Sequence, residues 1–207
     1  RLDHFRGFSA YWEVPAGNTT AINGSWQPGP GSDFFQNLLN HLGQLPIIAE
    51  DLGLITPDVI ELRDQFDLPG MRVLQFAFAE DSKHPFLPHN YINNCVAYTG
   101  THDNDTALGW FFNSSTKEEK DFLLRYLDTD GKNITWDMIR SVWSSVANTC
   151  LAPLQDFLAL DSDARMNFPG KASGNWSWRV KSHSINENLA SHIQELNNLF
   201  NRTKPED

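Results

Sequence analysis

Leu45-Pro46-Ile47-Ile48-Ala49-Glu50-Asp51 is a short apolar run that ends directly in two acidic residues. The run is too short for a helix, and its aliphatic side chains indicate a buried β-strand. The run at 95–98 has the same character and is followed by His102-Asp103-Asn104-Asp105. Two more runs of this kind lie at 71–78 and 151–154. Acidic residues directly after strands are typical of sheets whose chemistry lies at the strand carboxyl ends.

Helix signals lie between these predicted strands. Thr56-Pro57-Asp58 places a cap, a first-turn proline and an acid in order, which predicts a helix start. Capping boxes are predicted at 116–119 and 184–187, and the second of them opens a helix near 185–200. Another helix is predicted to start at Thr135. Strands that alternate with helices indicate a parallel sheet covered by helices, so the predicted fold class is α/β.

The acidic strand ends favour a (β/α)8 TIM barrel over a doubly wound sheet, because no glycine-rich phosphate-binding loop follows any predicted strand. With Arg1-Leu2-Asp3 as a further strand end, we count about five strand ends, whereas a full barrel needs roughly 250 residues. The sequence therefore predicts the C-terminal part, about strands 4 to 8, of a single catalytic barrel over residues 1–201. Residues 202–207 are expected to form a polar tail, and the N-terminal part of the barrel is expected upstream.

Composition argues against several classes of function. The chain has 16 Lys+Arg and 26 Asp+Glu, and the net charge of −10 disfavours binding to a nucleic-acid backbone. No apolar run approaches the roughly 18 residues of a membrane span, so no membrane association is expected. Cys95 and Cys150 lie in apolar surroundings and are expected to be buried thiols. The histidine spacing does not fit metal ligands, so neither a metal nor another cofactor is predicted.

Three strand-end carboxylates, Asp3, Glu50 and Asp103, are the candidates for chemistry. Retaining glycoside chemistry needs one carboxylate that attacks the anomeric carbon and one carboxyl group that donates and takes back a proton. Arg1 shares a strand face with Asp3, and a guanidinium there favours the carboxylate that a nucleophile requires. Glu50 shares a strand face with apolar Ile48 and lies near the charge of Asp3, which suits a proton donor.

The segments around these carboxylates read RLDHFRGF at 1–8, AEDLGLITP at 49–57 and YTGTHDNDT at 98–106. They resemble the nucleophile, acid/base and third-carboxylate motifs of the 4-α-glucanotransferases (amylomaltases or disproportionating enzymes, glycoside hydrolase family 77). Three further segments are similar to that family: 69–78, RMNFPG at 165–170 and GNWSWR at 174–179. The resemblance runs from Arg1 to about Arg179 with the motifs in order.

The resemblance implies a retaining transglycosylase that transfers α-1,4-glucan segments without a cofactor. It implies Asp3 as the nucleophile, Glu50 as the acid/base, and Asp103 with His102 as the groups that hold ring hydroxyls. The resemblance further implies four substrate-binding residues: Arg1 and His4 beside Asp3, and Phe76 and Asn167 near the acceptor side or the mouth. The implied substrates are maltooligosaccharides and α-1,4-glucans, and the implied compartment is the bacterial cytoplasm, with a plastid as the second choice.

Two alternatives remain open at this point. Besides the transferase that the resemblance implies, the chain could belong to a hydrolytic relative that transfers glucan to water, or it could be an inactive, non-catalytic glucan-binding remnant. Among the aromatic residues at 11–12, 26, 110–112, 176 and 178, one or two are expected to stack on sugar and the rest to pack in the core. The segment 24–31 is interpreted as a loop, because glycine and proline are dense there. The oligomeric state stays undetermined.

Overall fold

The computed structural model describes residues 1–203, so most of the tail predicted at 202–207 lies outside the described residues. Helices and strands alternate along much of the chain, which confirms the α/β class. The helices are α1 Arg6–Ser9, α2 Gly31–Leu42, α3 Pro57–Gln65, α4 Ala107–Gly109, α5 Lys117–Leu127, α6 Ile134–Trp143, α7 Leu154–Phe157 and α8 Glu187–Leu199. The strands are β1 Ala10–Glu13, β2 Ser25–Pro28, β3 Gly70–Val73, β4 Cys95–Tyr98 and β5 Thr149–Leu151. Five further short turns of helix lie at 74–78, 88–90, 110–114, 162–164 and 182–184.

The chain divides into two compact units. The first contains Arg1–Met71 with Asn94–Val96, and the second contains Arg72–Asn93 with Ala97–Asp207. One sheet has the order β3-β4-β5, and the other is the antiparallel pair β1-β2. The strands of residues 1–203 do not close into a barrel.

The first unit is built around an aromatic and aliphatic core, in which Phe5 and Phe35 contact each other with ring centroids 5.5 Å apart. Removal of this apolar surface from water is what holds α2 and α3 on the segment that follows Asp3. A parallel bridge between Leu2 and Ala49 runs beside this core. The buried residues of the cluster are Phe5, Phe35, Ala49, Val59, Leu62 and Leu68.

The second unit contains α4 to α8. Residues Met138, Ile139 and Val142 of α6 are fully buried, and Leu123 of α5 is buried with them. The predicted capping box at 116–119 is confirmed, because the Thr116 hydroxyl accepts the Glu119 N–H and the Glu119 carboxylate accepts the Thr116 N–H. Cys95 is buried and Cys150 half-buried, and burial raises the pKa of the Cys150 thiol.

Several predicted element boundaries are wrong for identifiable reasons. The segment 24–31, expected to be a loop, contains β2, because Trp26 pairs across the hairpin with Trp12. Of the run at 151–154, only Leu151 belongs to a strand, because Pro153 has no N–H to donate to the sheet. The cap of the last helix is Asn186 rather than Ser184, and its side chain accepts the Leu189 N–H.

The run at 45–49 forms an isolated bridge instead of a strand. Arg202, expected to begin the polar tail, donates hydrogen bonds of 2.7–2.9 Å to the Trp143, Ser145 and Ala147 carbonyls. The Trp143 carbonyl belongs to the last residue of α6, and the other two carbonyls follow it. Cationic side chains are favourable at the C-terminal end of a helix. No helix among the described residues is both long and apolar enough to cross a bilayer.

Candidate active site

Asp3 and Glu50 lie on two backbone segments that run side by side in the first unit. The Leu2 N–H donates to the Ile48 carbonyl at 2.9 Å, and the Glu50 N–H donates to the Leu2 carbonyl at 2.9 Å. The two segments are parallel, so their carboxyl ends reach the same edge. The structure therefore brings Asp3 and Glu50, which are 47 positions apart in sequence, to neighbouring positions.

Asp3 is presented to solvent with a cation beside it. The Arg1 Nη2 lies 2.9 Å from Asp3 Oδ1, and 76% of the Asp3 side chain is exposed. His4 follows with φ = 51°, a left-handed conformation that is uncommon outside glycine. Such conformations persist only where surrounding contacts hold them, and they cluster at functional sites. Here the Phe5 N–H bond to the Glu50 carbonyl, at 3.0 Å, anchors the residue after the turn.

Both oxygens of the Glu50 carboxylate accept backbone hydrogen bonds. The His4 N–H donates to Glu50 Oε2 at 2.7 Å, and the Leu52 N–H donates to Glu50 Oε1 at 3.0 Å. The bond from His4 links the Glu50 side chain directly to the turn that follows Asp3. The carboxylate of Glu50 is therefore fixed in orientation by the same backbone that carries Asp3.

A buried ion pair lies directly after Glu50. The Arg63 Nη1 is 2.6 Å from Asp51 Oδ2, and both side chains are almost fully buried. Asp51 Oδ1 also accepts the Met71 N–H at 2.6 Å. A Cβ on Gly70 would lie 2.3 Å from Asp51 Oδ2, so glycine is required for this close approach. The backbone next to Glu50 is therefore attached to α3 through Arg63 and to the start of β3 through Met71.

The second unit holds the other predicted polar residues. The Asn167 Nδ2 donates to Asp103 Oδ1 at 2.6 Å, and the His102 Nε2 lies 3.4 Å from Asp103 Oδ2. Arg165 connects the same two segments, donating to the Asp103 carbonyl at 2.6 Å and to the Asn167 carbonyl at 2.8 Å. Asn167 is thus hydrogen-bonded to one oxygen of Asp103, and the His102 imidazole lies beside the other oxygen of the same carboxylate.

A fully buried carboxyl group, Asp156, braces the loop that carries Asp103. The Thr99 hydroxyl donates to Asp156 Oδ2 at 2.5 Å, and the Ala107 N–H donates to Asp156 Oδ1 at 2.7 Å. Thr99 and Ala107 flank the loop on either side, so one side chain holds both of its ends. Burial raises the pKa of Asp156 to about 6, and this effect outweighs the two hydrogen bonds, which lower the pKa.

The pKa of Asp156 leads to a pH-dependent prediction. The folded state holds the proton more tightly than an unfolded chain with the ordinary value of 3.8, so this group favours folding most below pH 3.8. That contribution is lost as the pH rises through about 6. Relative to Asp156→Asn, which does not titrate, the free energy of unfolding of the unmodified protein should fall by up to about 3 kcal/mol between pH 4 and pH 7.

Urea unfolding of both proteins across this pH range measures the difference. Asp130→Asn is the matched control. The hydrogen bond from Lys132 lowers the pKa of Asp130, so the contribution of Asp130 to the free energy of unfolding is lost as the pH falls rather than as it rises. A difference between the unmodified protein and Asp156→Asn that does not change with pH would contradict the prediction.

The remaining sequence candidates are placed as follows. Phe76 lies in the turn after β3, is 42% exposed and stacks on Phe86 with ring centroids 6.3 Å apart. Arg1, Asp3, His4 and Glu50 lie together in the first unit, whereas His102, Asp103, Asn167 and Phe76 belong to the second. Within residues 1–203, no three His, Cys, Asp or Glu side chains are grouped as metal ligands would be.

Sequence reasoning missed three polar residues that support these groups: Arg63, Asp156 and Arg165. Arg165 carried a usable signal, since it lies two positions before Asn167 in a segment already singled out. Arg63 and Asp156 carried none, because each bonds to residues that are distant in sequence. Of the aromatic candidates, Trp110 and Phe111 are core residues, whereas Trp12, Trp26 and Trp176 are exposed.

Comparison with known proteins assigns the chain to a family. Residues 1–185 match the family described as 4-alpha-glucanotransferase. The 4-alpha-glucanotransferase of Synechocystis is 52% identical over 98% of this chain and 40% of its own length. The chloroplastic/amyloplastic 4-alpha-glucanotransferase of Solanum tuberosum is 47% identical over 97% of this chain and 35% of its own length.

Solved structures agree with the sequence matches. The amylomaltase from Streptococcus agalactiae in complex with acarbose superposes with a TM-score of 0.93 at 39% identity, over 98% of this chain and 41% of that one. The amylomaltase from Corynebacterium glutamicum, at 17% identity and a TM-score of 0.70, shares the fold. The chain spans about two fifths of the length of such relatives. With its family match over residues 1–185 and its close relatives, the chain belongs to the 4-alpha-glucanotransferase family.

Proposed function

We propose that this chain carries the reacting carboxylates of a 4-α-glucanotransferase, which moves a segment of one α-1,4-glucan to the 4-OH of another glucan or of glucose. The observation that carries the proposal is the pairing of Asp3 and Glu50 on adjacent parallel segments, linked by the His4 N–H bond to Glu50. Two carboxyl groups on neighbouring segments are what a retaining glycoside mechanism needs.

In the first half-reaction, an Asp3 carboxylate oxygen attacks the anomeric carbon of the donor glucan. The bond between that carbon and the 4-oxygen of the leaving chain breaks, and Glu50 gives its proton to that oxygen. The Arg1 guanidinium, 2.9 Å from Asp3 Oδ1, stabilises the carboxylate before attack. The product is a covalent glycosyl ester on Asp3 and a released shorter glucan.

In the second half-reaction, the 4-OH of an acceptor glucan attacks the same anomeric carbon. Glu50 takes the hydroxyl proton, the ester bond to Asp3 breaks, and the anomeric configuration of the donor is restored. Asp103 and His102 hold ring hydroxyls of the donor sugar and favour its distorted, positively charged transition state. Asn167 keeps Asp103 oriented through the 2.6 Å bond, and no cofactor takes part.

We further propose that residues 1–201 are the C-terminal part, about strands 4 to 8, of a single (β/α)8 barrel. The parallel bridge between Leu2 and Ala49 supports this proposal, because such a barrel is built from parallel strands. The order β3-β4-β5 also supports it, because consecutive strands are neighbours in a barrel. Half-formed sheets leave unpaired strand edges, so we expect the barrel to need further strands.

The proposed substrates are α-1,4-glucans and maltooligosaccharides. The Streptococcus agalactiae relative was solved in complex with acarbose, which supports oligosaccharide binding by this chain. Phe76, 42% exposed, is the proposed apolar contact on the acceptor side. The proposed compartment is the bacterial cytoplasm, and a plastid is the second choice because a chloroplastic/amyloplastic relative is 47% identical.

Hydrolysis is a second candidate, because a glycosyl ester on Asp3 reacts with water wherever bound glucan does not exclude it. Transfer and hydrolysis share every step except the identity of the acceptor. A purely glucan-binding role would leave the pairing of Asp3 with Glu50 unused.

Maltotriose as the only substrate separates these functions. We expect the protein encoded by the complete reading frame around these residues to form glucose together with chains longer than three sugars, which size separation of the products detects. Glucose and maltose alone would replace transfer by hydrolysis. If neither maltotriose nor a longer maltodextrin is converted, the catalytic proposal fails and the glucan-binding role replaces it.

A further inference from the structure

Trp176 has an unusual backbone conformation for a large aromatic residue. Its φ is 60°, in the left-handed region that bulky side chains rarely adopt. The Trp176 N–H donates to the Met166 carbonyl at 2.7 Å, and the Trp176 carbonyl accepts from Arg179 Nη1 at 2.9 Å. These bonds hold the strained residue in place at both of its backbone polar groups.

The loop before Trp176 is braced from within. The side chain of Asn175 accepts the Phe168 N–H at 3.0 Å and donates to the Lys171 carbonyl at 2.9 Å. Gly174, with φ = 83°, supplies the turn that leads into this arrangement. The backbone therefore fixes the direction of the Trp176 Cα–Cβ bond without relying on packing of the indole.

The indole lies against the group around Asp103. Its ring centroid is 5.2 Å from that of His102, and the two planes are tilted by 34°. His102 in turn lies 3.4 Å from Asp103 Oδ2, and Asn167 donates to the other oxygen of that carboxylate. Despite the contact with His102, 54% of Trp176 remains exposed. Trp176 thus keeps apolar surface that a bound ligand can cover.

We propose that Trp176 is a sugar-stacking residue of the Asp103 site, where its exposed indole receives the apolar face of a glucose ring in the bound glucan. A pyranose ring has an apolar C–H face and a rim of hydroxyl groups. The indole offers a surface for the C–H face, and the neighbouring carboxylate and imidazole groups offer hydrogen-bond partners for the hydroxyls. The inference rests on the proposed function in naming a glucan as the ligand.

The positive φ provides a way to separate stacking from folding. Trp176→Gly removes the indole but suits the left-handed backbone, so its Tm should equal or exceed that of the unmodified protein. Its dissociation constant for maltoheptaose, from titration calorimetry, should rise about tenfold or more, as expected for the loss of an aromatic residue that the bound ligand covers. Trp176→Phe, which keeps an aromatic face, should recover much of the affinity.

Trp178→Ala is the matched control, because it removes an indole from the same segment at a less exposed position, and its dissociation constant for maltoheptaose should not change. All of these dissociation constants are measured in the Asp3→Asn background, in which maltoheptaose is not expected to be turned over, so the result does not depend on whether the protein transfers or hydrolyses glucan. Unchanged maltoheptaose affinity in Trp176→Gly, or absence of maltoheptaose binding by the unmodified protein, would overturn the stacking role. A lower Tm in Trp176→Gly together with its lower affinity, both restored to the same extent by Trp176→Phe, would also overturn the stacking role. Trp176 would then have a packing role.

Discussion

Replacing Asp3 with Asn is expected to lower kcat for glucan transfer by on the order of 10⁴-fold or more, the loss typical of a missing nucleophile. The amide cannot form the glycosyl ester, and it also removes the negative charge that pairs with Arg1, whose Nη2 lies 2.9 Å from Asp3 Oδ1. The fold should tolerate the change, because the Asp3 side chain is largely exposed. Initial rates with maltotriose, together with a thermal melt, test the two expectations.

Asp33→Asn is the control for this experiment, since Asp33 is an exposed carboxylate of α2 in the same unit. It should leave both the rate and the Tm unchanged. Retention of even a tenth of the activity by Asp3→Asn would remove Asp3 as the nucleophile. A large loss of activity with an equal fall in Tm would instead mean that the substitution unfolds the protein.

The placement of the candidate carboxylates Asp3 and Glu50 on adjacent segments could be predicted from sequence, because strands and acidic residues follow one another locally. Glu50 directly follows an apolar run, and parallel strands present their carboxyl ends at one edge. The orientation of Glu50 could not be predicted in this way. Its two oxygens accept N–H groups of His4 and Leu52, and the turn at His4 depends on a left-handed φ that no pattern encodes.

Elements with strong local signals were predicted well. The capping box at Thr116 and the proline start of α3 both lie where expected, since each depends on residues within one helical turn. The β1-β2 hairpin was missed because glycine and proline dominate the segment 24–31, while the pairing of Trp12 with Trp26 depends on a partner 14 positions away. The local composition favours a loop there, whereas the cross-strand contact favours a strand, and the strand forms.

Both groups of candidate residues are supported by a buried carboxylate that composition did not reveal. Asp51 supports the segment of Glu50 through Arg63 and the Met71 N–H. Asp156 supports the loop of Asp103 through Thr99 and the Ala107 N–H. In each case the candidate residue sits on a short irregular segment, and the buried carboxylate satisfies backbone or side-chain donors that would otherwise be left unpaired.

Asp51→Ala should therefore lower the free energy of unfolding by about 3–5 kcal/mol, the usual cost of breaking a buried ion pair. The substitution leaves the Arg63 guanidinium buried without its 2.6 Å partner and removes the acceptor of the Met71 N–H. Urea unfolding at pH 7 measures the loss. Asp64→Ala is the matched control, because Asp64 also pairs with Arg63, at 2.7 Å, but 57% of its side chain is exposed.

The control should cost less than about 1 kcal/mol, as exposed pairs do. The double substitution Asp51→Leu with Arg63→Met removes both charges and should recover much of the stability lost in Asp51→Ala, since no uncompensated buried charge remains. Because Asp51 adjoins Glu50, the recovered stability need not restore activity. Equal losses in Asp51→Ala and Asp64→Ala would show that burial of the pair contributes nothing, and would leave the Glu50 segment without the support argued for it.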